Sequence, residues 1–179
     1  MMPRNFVLTL SGPDRIGIVD RVTGLLLARG GNVETSRMTR LGGEFAVLML
    51  VSLPAEQFAG LEGDLSALIA EGYKLTTTQA GRTYAEDHPG WLPYRIEVHG
   101  ADHEGIIHEV ARYLARLGIN IESMDSGTAP APTSGVPLFT MTAEVVVPPS
   151  LAGQAWGDGL EEIGSRMNLE IRVLAAPDR

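Results

Sequence analysis

A chain of 179 residues has room for one domain or two small ones, and 44% hydrophobic with 20% charged residues suits a buried core rather than disorder. No cysteine is present, which excludes disulfides and thiolate chemistry and makes a reducing compartment the expected home. The formal charge is −8, with eight basic against ten acidic residues through Gly90 and six against twelve beyond it, so neither part offers the basic face that direct nucleic-acid binding needs.

The opening Met1-Met2-Pro3-Arg4 leads into an apolar run too short for a signal sequence. Phe6 to Ser11 then predicts a strand, followed by Asp14-Arg15-Ile16-Gly17-Ile18-Val19, where Asp14 is placed to cap a helix. Ile18, Val22, Leu25 and Leu26 give that helix its apolar face, and Gly30-Gly31 ends it. Asn32 to Leu41 predicts a second strand, Gly42-Gly43 a tight hairpin and Glu44 to Leu53 a third strand. The third strand is apolar on both faces, which predicts a central, covered position. Its longest apolar run, Ala46 to Val51, is far too short to span a membrane, so a soluble cytoplasmic protein is expected. After Pro54 a second helix carries Phe58, Leu61, Leu65, Leu68 and Ile69, and Tyr73 to Ala80 closes the unit as a strand.

Residues 81–91 carry Gly, Pro and charge without periodicity and read as a linker between a domain at 4–80 and another at 92–176. The second part repeats the first. At an offset of 88, nine positions recur identically, from Gly12/Gly100 and Asp14/Asp102 through Gly17/Gly105 to Asn32/Asn120 and Glu34/Glu122. Beyond the next hairpin the offset becomes 94, with Phe45/Phe139 and Pro54/Pro148 among the matches. Strands are expected at 93–99, 119–127, 137–147 and 167–175, and helices at 103–117 and 151–166. Three prolines between Thr128 and Pro137 predict a protruding loop in place of the first hairpin. Each copy thus reads βαββαβ, the ferredoxin-like split motif of class α+β: a four-stranded antiparallel sheet with two helices on one face.

The repeated turn is where chemistry is expected. A strand running into a helix through Asp and Gly presents backbone N–H groups at the positive end of the helix, a seat for a carboxylate or phosphate. Gly17 and Gly105 let a ligand approach the backbone or let helix and sheet pack closely. Asp14 and Asp102 are caps or partners of a ligand amine. Asn32 and Asn120 form turns or bind an amino acid through their amides. His99, His103 and His108 lie close in sequence, but five residues separate His103 from His108, so they share no helix face and no metal site is expected. No nucleophile-and-base pair, phosphate loop or dinucleotide fingerprint is present, so no enzyme and no cofactor are expected.

The pattern Asp-x-x-Gly-Ile, a Val/Leu-spaced helix and then Gly-x-Asn-Val/Ile resembles the ACT domain, a small βαββαβ regulatory module that usually binds amino acids. Both copies carry it. Val33-Glu34-Thr35-Ser36-Arg37 with Leu41-Gly42-Gly43-Glu44-Phe45 is similar to the tandem-ACT group of glycine cleavage repressors. The resemblance implies regulation without catalysis, with a small, glycine-like amino acid bound at a strand-to-helix turn between domains or subunits. Carried over by residue, it points to Asp14, Arg15, Ile16, Gly17, Ile18 and Asn32, and to Asp102, His103, Glu104, Gly105, Ile106 and Asn120. The copies differ where Arg15-Ile16 becomes His103-Glu104. A homodimer or larger assembly is implied, with a DNA-binding regulator or an amino-acid metabolic enzyme as partner.

Overall fold

The structure, a computed structural model, describes residues 3–82, 84–131 and 135–176. It divides into two compact units, Met1–Arg82 and Thr83–Arg179. The first runs β1 (Pro3–Pro13), α1 (Ile18–Ala28), β2 (Asn32–Leu41), β3 (Glu44–Pro54), α2 (Phe58–Ala70) and β4 (Lys74–Gln79). The second runs α3 (Tyr84–Asp87), β5 (Leu92–Ala101), α4 (Ile106–Arg116), β6 (Asn120–Pro130), β7 (Pro137–Val147), α5 (Asp158–Met167) and β8 (Leu169–Ala175). Sheet orders are β2-β3-β1-β4 and β6-β7-β5-β8, all pairs antiparallel. Apart from α3, each unit is a βαββαβ fold, and the class is α+β as the periodicities indicate.

Period-two alternation builds each core. Phe6, Leu8 and Leu10 of β1 and Val47, Met49 and Val51 of β3 are buried against Ile18, Val22 and Leu26 of α1 and Leu61, Leu65 and Leu68 of α2. The second unit repeats this with Ile96, Val98, Met141 and Val145 beneath Ile106, Val110 and Leu114 of α4 and Leu160 and Ile163 of α5. Each such side chain contributes about 1.5–3 kcal/mol on burial.

Four expectations need correction. β3 is central, but its second face is not covered within the unit. Leu48 is 53% exposed there, because both helices lie on the other side. The Thr128–Pro137 segment is not all loop, since the β6–β7 ladder continues through Thr128↔Phe139 to Pro130↔Pro137. Proline is tolerated at the Pro130↔Pro137 rung because the next bond is made by the Ala131 N–H, which donates to the Val136 carbonyl at 2.8 Å; Pro132, Thr133 and Ser134 lie outside the described residues. The last helix begins at Asp158 rather than 151, because Pro149–Leu151 forms a 3-10 turn and Gly153 takes φ 74°. Within 81–91 the chain is not featureless. Tyr84 and His88 stack at 3.9 Å, and Trp91 meets them edge-on at 5.3 and 4.9 Å.

Candidate glycine-turn sites

The duplicated Asp-x-x-Gly turn joins β1 to α1 and β5 to α4. The aspartates do not cap these helices. Gly17 and Gly105 occupy the cap position in the left-handed region, at φ 87° and 91°, and no side chain bonds there. That conformation strains any residue with a Cβ, although a Cβ at either position would meet nothing within 4 Å. The helices therefore begin at Ile18 and Ile106, one step after the glycine. Gly12 and Gly100 are duplicated for a different reason. A Cβ on Gly12 would lie 2.6 Å from Tyr73 Cδ1, and one on Gly100 2.5 Å from Leu169 Cδ2, so each lets the chain entering the last strand of its unit pass close.

Asp14 and Asp102 instead anchor the turn to the β-hairpin beside it. The Asp14 N–H donates to the Gly43 carbonyl at 3.1 Å, and the Asp102 N–H to that of Pro137 at 2.9 Å. The Asp14 carboxylate accepts from Arg40 Nη1 at 3.1 Å. Arg15 lies 3.9 Å from Glu71, which also accepts from Arg21 at 2.6 Å. Arg21 holds the Glu71 carboxyl below its usual range. Ile16 is fully exposed at the tip of the turn, while Ile18 is buried beneath it.

In the second turn His103 Nδ1 lies 3.1 Å from the Glu104 carbonyl oxygen and Nε2 lies 3.0 Å from that of Met167. These two acceptors, with Asp102 nearby, raise the His103 pKa above its ordinary value. An open cleft of about 570 Å³ adjoins the turn, lined by Asp102, His103, Gly105 and Ile106 together with Ile107, His108, Ala111 and Phe139. The last four are not in the sequence-based set. A signal was available for three of them: Ile107, His108 and Ala111 stand at i, i+1 and i+4 on α4, and Ile106 and Ile107 cannot both face the core. Glu104 is not among the residues lining the cleft; its backbone carbonyl faces His103 Nδ1.

Asn32 and Asn120 do not join the turns of their own units. Asn32 pairs with Ser52, whereas the Asp14 turn lies beside Glu44 and Phe45, so about eight strand residues, or ~27 Å, separate them. Asn120 pairs with Val146, and the Asp102 turn lies beside Pro137, at the opposite end of the sheet. Asn32 Nδ2 donates to Glu34 at 3.0 Å, and Ser52 donates to the same carboxylate oxygen at 2.6 Å. Among the described residues no three His, Asp or Glu side chains converge as metal ligands.

Residues 4–75 match the ACT domain, and residues 94–152 match it a second time. A UPF0237 protein of Methanosarcina mazei is 35% identical over 75 residues, covering 42% of this chain and 80% of that protein. The glycine cleavage system transcriptional repressor of Escherichia coli K12 is 32% identical over 127 residues, covering 70% of this chain and 65% of the repressor, just under two thirds of its length. A crystal structure of an unknown protein from Galdieria sulphuraria superposes with a TM-score of 0.85 at 33% identity, over 97% of this chain and 99% of that one. The duplicated turn, the two βαββαβ units and these matches together place the chain in the ACT domain family, as two ACT domains in tandem.

Proposed function

We propose that this protein is a non-catalytic amino-acid sensor that regulates transcription in the manner of the glycine cleavage repressor, through a DNA-binding partner. The observation that carries the reading is the duplicated turn, a left-handed glycine opening a helix whose first N–H groups lack intrahelical acceptors. Such a turn suits a carboxylate. The matching repressor supports the regulatory role. The net charge of −8 opposes direct contact with DNA phosphates, hence the partner.

Because ~27 Å separates each Asn from its own turn, a small amino acid held at a turn does not reach the Asn of the same unit. The working form is a homodimer or larger, as the resemblance to the tandem-ACT repressors implies. Glycine has about five heavy atoms, which limits its affinity to the micromolar range at best. Recovering the tagged protein from its native cells with a DNA-binding regulator would support this reading. Recovering it with an amino-acid metabolic enzyme would replace it with the alternative role, an enzyme's regulatory subunit. Gel filtration is expected to give at least a dimer, and a monomer at high concentration contradicts the proposed assembly.

A further inference from the structure

Each glycine turn is tied to the C-terminal end of the helix that precedes the last strand of its unit, and the two ties differ in chemistry. In the first unit Arg15 reaches Glu71, the residue that caps α2. Arginine stays charged at every physiological pH. At the equivalent place in the repeat the second unit holds His103, whose two ring nitrogens face the carbonyl oxygens of Glu104 and Met167 at 3.1 and 3.0 Å. Neutral imidazole has one N–H and can serve only one of these acceptors, leaving a lone pair against the other. Imidazolium donates to both. Met167 is the last residue of α5, so its carbonyl lies at the negative end of the helix, where a cation is favoured.

We infer that His103 is a proton-operated latch on the second turn. Protonated, it pins the β5–α4 turn to the end of α5 and stands as a cation in the cleft; deprotonated, it gives up one bond and the turn loosens. Resting on the reading of the turns as ligand sites, this makes the second site bind a carboxylate more tightly at lower pH, whereas the arginine-tied first site is indifferent from about pH 5.5 to 8.5, where Glu71 stays charged. His103 is thus a positioning residue for its turn.

The other charged groups around it act in known directions. Asp102 favours the imidazolium, and Glu104 adds a second carboxylate on the same turn. On α4, His108 lines the same cleft, and Glu109 holds Arg166 of α5 at 2.6 Å, which offsets that cation beside Met167. Glu170 at the start of β8 is paired with Arg172. The hairpin end, Gly135 to Phe139, carries no titratable side chain.

The test follows the full-length protein by NMR from about pH 5.5 to 8.5, as wild type and as His103→Arg, alone and with glycine as the probe. In wild type the His103 ring is expected to titrate above the ordinary 6.5. The amides of Gly105, Asn168 and Leu169 should move with the same midpoint, while that of Gly17 stays still. In His103→Arg the same amides should lose that step. Glycine affinity at the second turn should fall roughly two- to fivefold from pH 6 to pH 8.5 in wild type, the worth of about one modest hydrogen bond, and stay level in the variant. A midpoint at or below 6.5, or amides that ignore it, overturns the latch, and an affinity independent of pH overturns its link to binding. If glycine binds at no pH while ring and turn titrate together, the latch stands and the sensor reading is what fails.

Discussion

Gly17 carries the cost of the turn in its backbone. At φ 87°, with nothing within 4 Å of where a Cβ would stand, a substitution there is strained but not crowded. Gly17→Asn is expected to lose about 1 kcal/mol, because Asn tolerates the left-handed region, and Gly17→Val about 2–3 kcal/mol. Urea midpoints at unchanged slope check this, and equal losses for the two variants would contradict it. The glycine itself was legible in the sequence, since it recurs at an offset of 88 ahead of Ile18 and Ile106. The cap was not, because Asp-x-x-Gly offers two residues that can start a helix, and only the left-handed glycine chooses between them. The tie between His103 and Met167 joins residues 64 apart, and no local pattern announces such a pairing.

At the scale of elements, α5 shows how a long glycine-bearing segment is held. Trp156, just ahead of the helix, is buried, meets Tyr94 edge-on at 5.2 Å and offers its carbonyl to the Tyr113 hydroxyl at 2.6 Å. Trp156→Ala is expected to destabilise the second unit by about 3–5 kcal/mol, read from denaturant unfolding, and a loss under 1 kcal/mol would remove Trp156 from the core. In the first unit, partly exposed ion pairs join the helices. Arg29 donates to Asp64 at 2.8 Å and Arg21 to Glu71 at 2.6 Å, and both carboxyls are held below their usual range by those bonds. A lowered folded-state pKa stabilises above the unfolded value near 4.5, and that stability is lost as pH falls through the folded value. Glu71→Gln should therefore flatten the acid limb of the first unit's stability curve below about pH 4.5, and an unchanged limb would show that the pair contributes nothing. Strand and helix periods were readable for these elements. The placement of Asn32 and Asn120 was missed, because the resemblance grouped them with the turns, whereas β1 and β2 run the same way and the helix between them returns the chain to the end of the sheet opposite the turn.

For the whole molecule, duplication has kept a scaffold and let its turns diverge. The two units share a sheet order, a left-handed glycine and a hairpin anchor, but Arg15 stands in one turn where His103 stands in the other. Their pH responses have opposite signs. The Glu71 pair in the first unit weakens toward acid, while the raised pKa of His103 makes its contribution complete below 6.5 and lost as pH rises through the folded value. The sequence could not show what meets the open sheet face around Leu48, because alternation reports apolarity and not its cover. Thermal unfolding against a panel of amino acids at millimolar concentration tests most directly the proposal that these turns bind a small amino acid. Glycine or a close analogue at about 100 times its dissociation constant adds roughly 2.7 kcal/mol, which should raise the melting temperature by about 5–10 °C. A melting temperature unmoved by every member of the panel would contradict amino-acid binding at these turns.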